Sequence, residues 1–232
     1  PGQELRALSQ RVGWHADNGR QESFEMGRLG MERAFALGLP ELAFGFLNGV
    51  AWQLAMAGKA DAALQSLERH RAWVQTQPDD TQAEFGTMRT GVLLFTDQLE
   101  AALSSGEDTI ALLQRSGRPE RALPTMSNLG LMRWWRGEFD AAKAMLLEAQ
   151  VQRDRLHGAG TSLVIDLYLG AVLRDRGEFE AAHDTLVRVR RQYQQEADAQ
   201  GPSADRTDLV LVGNQLADLW LRLGQPQQAL AE

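Results

Sequence analysis

The sequence predicts an all-α fold, an α-solenoid of antiparallel helical hairpins, about six of them along its 232 residues. Three observations carry this expectation. First, a turn residue followed by small residues recurs as GRQESFEM at Gly19, GKADAALQ at Gly58, DQLEAALS at Asp97, GEFDAAKA at Gly137, GEFEAAHD at Gly177 and GQPQQALA at Gly224, so the intervals are 39, 39, 40, 40 and 47. A fixed period of this length marks stacked units, because one unit cannot bury its apolar face alone. Second, about 16 residues of helical pattern precede each turn and another helical stretch follows it. Third, Pro40, Pro78, Pro119 and Pro202 fall between successive hairpins, and HGAG at 157–160 does the same work without proline.

Taken in order, the units span approximately 1–38, 39–78, 79–117, 118–158, 159–202 and 203–232, the last one truncated. The first carries Phe24 where the others place alanine. The second has Val50-Ala51 before Gly58 and Ala63 after it. The third is degenerate: Asp97 replaces the turn glycine, Gly86 and Gly91 weaken the first helix, and SSG at 104–106 is expected to interrupt the second. These features make it a hinge, a site or drift.

In the fourth unit Leu129, Met132, Arg133 and Arg136 follow helical spacing, and Pro124 marks either a late helix start or a kink. In the fifth, Leu167, Leu169 and Leu173 pattern a helix around Gly170. The sixth offers Leu216-Ala217, Gly224 and Ala229, with Pro226 suited to the first turn of a helix. The turn glycines suit a left-handed helix end, and Glu138, Asp140, Glu178 and Glu180 fall where the next helix dipole favours negative charge. The longer last interval is absorbed by the polar loop DAQGPSADRTD, which leaves the helical register intact.

These residues resemble the tetratricopeptide repeat, TPR. Its pattern wants Leu-Gly or Leu-Ala seven or eight residues before the turn glycine, then Gly-acid-aromatic-acid-x-Ala. Leu129-Gly130, Gly137, Phe139, Ala142 and Ala149 match it, as do Leu169-Gly170, Gly177, Phe179 and Ala182. The resemblance implies a right-handed superhelix in which small residues let helices approach and the aromatic fills the gap to the neighbouring unit. A period near 40 rather than 34 implies longer helices. That long variety looks like the TPR-like regions of large bacterial transcriptional regulators (MalT-like, LuxR-type or SARP-type), where such a region follows a nucleotide-binding module and senses an effector or partner.

The resemblance also implies a candidate site, since the first helices of such arrays line a concave groove. It places Asn48, Trp52 and Met56 there from the second unit and Asn128, Leu131, Trp134 and Trp135 from the fourth. Arg174 and Asp175 come from the fifth unit and Asn214 from the sixth. Aromatic, amide and arginine side chains are the types that dominate binding hot spots. Neighbours on a helix lie about 100° apart, so one indole of the Trp134–Trp135 doublet must point away from the hairpin core.

Composition narrows the function. Twenty-four basic against 31 acidic residues give a net charge of -7, which argues against a phosphate- or lipid-neutralising surface. With 0 cysteines there is neither a disulfide nor a thiolate metal site, in keeping with a cytoplasmic setting. SLVIDLYLGAVL is too short for a membrane span and carries Asp166. His15, His70, His157 and His183 lie in different units without metal-ligand spacing, and Arg188, Arg190 and Arg191 read as a solvated face. No nucleotide-binding or nucleophile motif occurs, and no acid, base and nucleophile converge, so neither a cofactor nor an enzyme is expected.

The expected function is a non-catalytic interaction and regulatory module. It would bind a peptide, a protein segment or a domain of its parent chain, the alternative being a small-molecule effector sensor of an ATP-dependent transcriptional activator. The chain opens on Pro-Gly and closes in a nascent helix, so it reads as a piece of something longer whose uncapped end would permit self-association.

Overall fold

The computed structural model describes residues 21–157, 163–201 and 206–232. Gly19, His15, the side chain of His157, most of HGAG and Pro202 lie outside them. The helices are α1 (Gln21–Ala36), α2 (Pro40–Met56), α3 (Ala60–Glu68), α4 (Arg71–Val74), α5 (Asp79–Leu93) and α6 (Leu99–Arg115). They continue as α7 (Leu123–Trp135), α8 (Phe139–His157), α9 (Leu163–Asp175), α10 (Phe179–Gln200), α11 (Thr207–Arg222) and α12 (Pro226–Ala229). No strand occurs among the described residues.

The chain forms two compact units, residues 1–119 and 120–232. In the first, α1 packs on α2, α2 on α3, α5 on α6, and α2 and α3 both on α5. In the second, α7/α8, α9/α10 and α11/α12 are hairpins, α8 packs on α9 and α10 on α11, and α9 also touches α7 and α11. Within each unit successive hairpins pack on one another, which is the stacking a repeat requires.

The turn glycines adopt positive φ: 73° at Gly58, 75° at Gly137, 81° at Gly177 and 71° at Gly224. Only glycine takes this conformation without strain. The gain is a closed helix end, for the Glu138 N–H reaches the Arg133 carbonyl at 2.9 Å and the Glu178 N–H reaches that of Leu173 at 2.9 Å, each satisfying a carbonyl the helix would orphan. Where Asp97 stands instead, the Thr96 hydroxyl donates to the Leu93 carbonyl at 2.8 Å and accepts from the Gln98 N–H at 3.2 Å.

Small residues set the spacing between helices. A Cβ at Gly130 would stand 2.6 Å from Leu146 Cγ, and one at Gly170 would stand 2.7 Å from Leu186 Cγ. These are equivalent contacts one repeat apart. Leu146 and Leu186 are fully buried, each worth about 1.5–3 kcal/mol in transfer from water. The long period is spent in second helices, with 19 residues in α8 and 22 in α10.

Two expectations need correction or resolution. SSG at 104–106 does not interrupt α6, which is continuous over 17 residues. The small residues there are an interface: the Thr90 hydroxyl meets Ser105 Oγ at 3.2 Å, Gly106 is buried, and a Cβ at Gly86 would strike Thr109 Oγ1 at 2.1 Å. Pro124 marks a late start, because α7 begins at Leu123 after a 3-10 turn over Pro119–Ala122. The second helix of the second unit breaks early, between α3 and α4, where the ring of His70 is wholly buried.

Candidate functional site

In the second unit the last turns of α7, α9 and α11 carry one connected polar network. The Trp134 indole N–H donates to Asp175 Oδ2 at 2.7 Å. Arg174 lies over the same indole, its guanidinium carbon 6.0 Å from the ring centroid, and donates from Nε to Asp175 Oδ1 at 2.9 Å. Its Nη1 reaches Gln215 Oε1 at 2.6 Å and Asp218 Oδ2 at 2.9 Å. Arg222 closes the array, with Nη2 2.9 Å from Asp175 Oδ1 and Nε 3.1 Å from Asp218 Oδ2. Cation, anion and indole alternate across three successive hairpins.

This geometry fixes what each group does. Arg174 is 6% exposed with Nε, Nη1 and Nη2 all engaged, so it ties hairpins together and has little capacity left for a further acceptor. Leu131, expected to face outward, is buried in packing at 8% exposure. Trp134 and Asn128 are half-buried and Asn214 is exposed. Trp135 is the indole of the doublet that points out, at 55% exposure. A rigid polar frame therefore stands beside an unsatisfied aromatic surface.

The first unit has its own exposed apolar group. Trp52 and Met56 project from the last turns of α2 at 48% and 61% exposure, and Asn48 is exposed one turn earlier. Phe95, at the end of α5, meets Trp52 edge-on with centroids 5.5 Å apart.

Several residues escaped the sequence reading. Arg153 and Asp166 form an ion pair at 2.5 Å, each side chain 3% exposed, joined by Gln150 at 2.5 Å and Arg188 at 3.4 Å. The signal was Asp166 within an apolar run. Gln215 and Asp218 completed the network at a spacing of about one repeat from Arg174 and Asp175, a signal available in the period itself. Glu178 bridges Lys143 at 2.5 Å and Arg176 at 2.6 Å, and these two, Lys143 first, hold its carboxyl below the usual range. Its position at the N-terminus of α10 makes it a link between hairpins.

Of the arginines read as a solvated face, Arg190 pairs with Glu232 and Arg191 is exposed. His183 packs edge-on against Trp220 at 5.1 Å. Among the described residues no three His, Asp or Glu side chains gather as metal ligands, and no helix is long and apolar enough to cross a membrane.

No family model and no curated protein matches the sequence. Solved structures do match the fold. The crystal structure of BtubC (BKLC) from P. vanneervenii superposes with a TM-score of 0.71 at 16% identity, over 97% of this chain and 87% of that one. The TPR-like repeats of a kinesin-light-chain-type protein of Podosopora anserina superpose with a TM-score of 0.59 at 16% identity, over 80% and 89% of the two chains. A single-substitution variant of it gives 0.60 over 80% and 88%, again at 16% identity. At such identities the likeness is one of architecture, and the chain is similar to TPR-like repeat proteins in its all-α helical-repeat fold.

Proposed function

We propose that this chain is a non-catalytic protein-interaction module that binds an extended peptide, a protein segment or a domain of its parent chain along the face of its first helices. The single observation that carries the reading is Trp135, an exposed indole held next to a network that fixes the ends of three successive helices. Ordering a contact surface before binding lowers the entropy lost on association, and tryptophan is the strongest anchor type at interfaces. In the second unit Trp135, Asn128 and Asn214 make contacts while Trp134, Arg174 and Asp175 hold the frame, with Leu131 packed beneath. In the first unit Trp52, Met56 and Asn48 play the contact role.

TPR-like folds serve as interaction scaffolds, which supports this reading over an enzyme. We place the module in the cytoplasm as part of a larger bacterial signalling or transcriptional regulator, on the strength of the repeat length. The test is selection of peptides on the intact chain from a random library, followed by affinity measurement on Trp135→Ala. Binding weakened by about tenfold or more supports the assignment. Unchanged affinity for every selected peptide rejects it.

A second reading, an effector-sensing region of an ATP-dependent activator, draws support from a cavity of about 280 Å³ in the first unit, lined by charged and apolar side chains.

A further inference from the structure

That cavity lies where α3 gives way to α4, beside α5, which packs against both, and α6, which packs on α5, with Arg71, Arg89 and Asp108 on its walls beside Val74, Phe85 and Leu112. Its charges are unevenly satisfied. Arg71 is hydrogen-bonded to Glu68, with Nε at 2.6 Å and Nη2 at 2.7 Å. Arg89 is not: its Nε stands 3.7 Å from the same carboxylate, beyond hydrogen-bond reach, and that nitrogen is shielded from solvent with no partner. With three quarters of its side chain removed from water, at 25% exposure, the Arg89 guanidinium keeps one long ion pair to Glu68 but has a shielded donor with no hydrogen bond to offset its lost hydration.

Asp108 faces the same space from α6 and makes no ion pair among the described residues. The crossing puts the two groups on adjacent turns, since Thr90 and Ser105 touch at 3.2 Å and Gly86 sits against Thr109. They line one cavity without bonding to each other. A half-buried cation that lacks a hydrogen bond at one nitrogen, an exposed carboxylate without an ion pair and an apolar wall together describe the complement of one kind of small molecule.

We propose that this cavity binds a free α-amino acid with an apolar side chain, its carboxylate on Arg89, its ammonium group on Asp108 and its side chain against Val74, Phe85 and Leu112. The proposal rests on the effector-sensing reading and gives it a ligand class. A phosphate or dicarboxylate fits less well, because Asp108 and Glu68 would repel the added charge. The volume, about 280 Å³, lies just below the range of about 300–1,000 Å³ usual for ligand cavities, which suits a single amino acid better than a peptide.

The experiment is calorimetric titration and thermal melting of the whole chain with L-leucine, with leucinamide, which lacks the carboxylate, and with 4-methylpentanoate, which lacks the amine. Leucine is expected to bind, and each analogue to bind about tenfold or more weakly, as charge-assisted hydrogen bonds are lost. Arg89→Gln and Asp108→Asn, each confirmed folded by circular dichroism, are expected to lose leucine affinity by a similar factor.

No heat and no melting shift with leucine, valine or methionine up to ~10 mM, where even a millimolar ligand stabilises measurably, overturns the proposal. So does equal binding of 4-methylpentanoate, or leucine binding that Arg89→Gln leaves intact. Stabilisation by a metabolite of another class, unaffected by Arg89→Gln, also overturns it while leaving the sensor reading standing.

Discussion

The indole N–H of Trp134 and the carboxylate of Asp175, 41 residues apart in sequence, are joined at 2.7 Å, which makes one hydrogen bond the bridge between two successive hairpins. Asp175 also accepts from Arg174 and pairs with Arg222, so the indole proton is one of several donors to it. Trp134→Phe keeps most of the ring and removes that donor. It should lower unfolding stability by about 1 kcal/mol, read from the urea midpoint at unchanged slope. A loss under a few tenths would mean that Asp175 is held by its arginines alone.

The buried pair Arg153 and Asp166 should be far less forgiving, because each side chain is 3% exposed and the 2.5 Å contact is the chief compensation for dehydrating both charges. Asp166→Asn removes the buried counter-charge of a buried cation and should cost about 3–5 kcal/mol. Replacing both residues with apolar side chains of similar volume should cost much less. A double-mutant cycle checks this, and additive single effects would contradict it.

His70 gives a pH dependence. Its ring is wholly buried between Phe35, 4.3 Å away, and Phe44, 6.3 Å away. Nδ1 lies 2.9 Å from the Ser66 carbonyl, so the proton belongs there and Nε2 is left without a partner. Burial first, and the Arg69 charge in addition, push its pKa down, while the Ser66 carbonyl works the other way.

Because the folded value lies below the unfolded one, about 6.5, the unfolded chain binds the proton first. Stability is therefore complete above that pH and declines as pH falls toward the lowered folded value. His70→Asn keeps a donor near Ser66 and removes the titration. The decline in melting temperature between pH 7 and pH 5 should be visibly shallower in the variant than in the parent, and parallel curves would contradict the assignment.

Glycine substitutions should split by location. Alanine at Gly130 or Gly170 meets Leu146 or Leu186 within 2.6 Å, and should destabilise by about 1–3 kcal/mol through overpacking despite its better helix propensity. Alanine at Gly49, in α2 with nothing within 4 Å, should stabilise by about 0.5–1 kcal/mol. Chemical denaturation of the three variants decides it, and the same sign at all three sites would refute the packing account.

Much of the fold was legible because its determinants are local. Gly58, Gly137, Gly177 and Gly224 each end a helix through backbone conformation alone, and Ala63, Ala142 and Ala182 must be small to let the hairpins close. What could not be read depends on partners distant in sequence. Glycine and serine at 104–106 look like helix breakers until Thr90 is seen packed against Ser105.

Arg174 and Leu131 looked like surface residues because helical phase fixes direction without fixing what stands in that direction. Asp175, Gln215 and Asp218 enclose Arg174. The exposed indole of the doublet could be anticipated to exist, since adjacent residues diverge on a helix. That it is Trp135 followed only from the Asp175 carboxylate claiming Trp134.

In the proposed binding mode Trp135 makes contact with a bound polypeptide while Trp134 holds the frame behind it. Fluorescence anisotropy of one selected peptide against the parent, Trp135→Ala and Trp134→Phe tests it most directly. The expected result is about tenfold or greater weakening for Trp135→Ala and a clearly smaller effect for Trp134→Phe. Equal affinities for all three proteins, or a larger loss from Trp134→Phe than from Trp135→Ala, would contradict it.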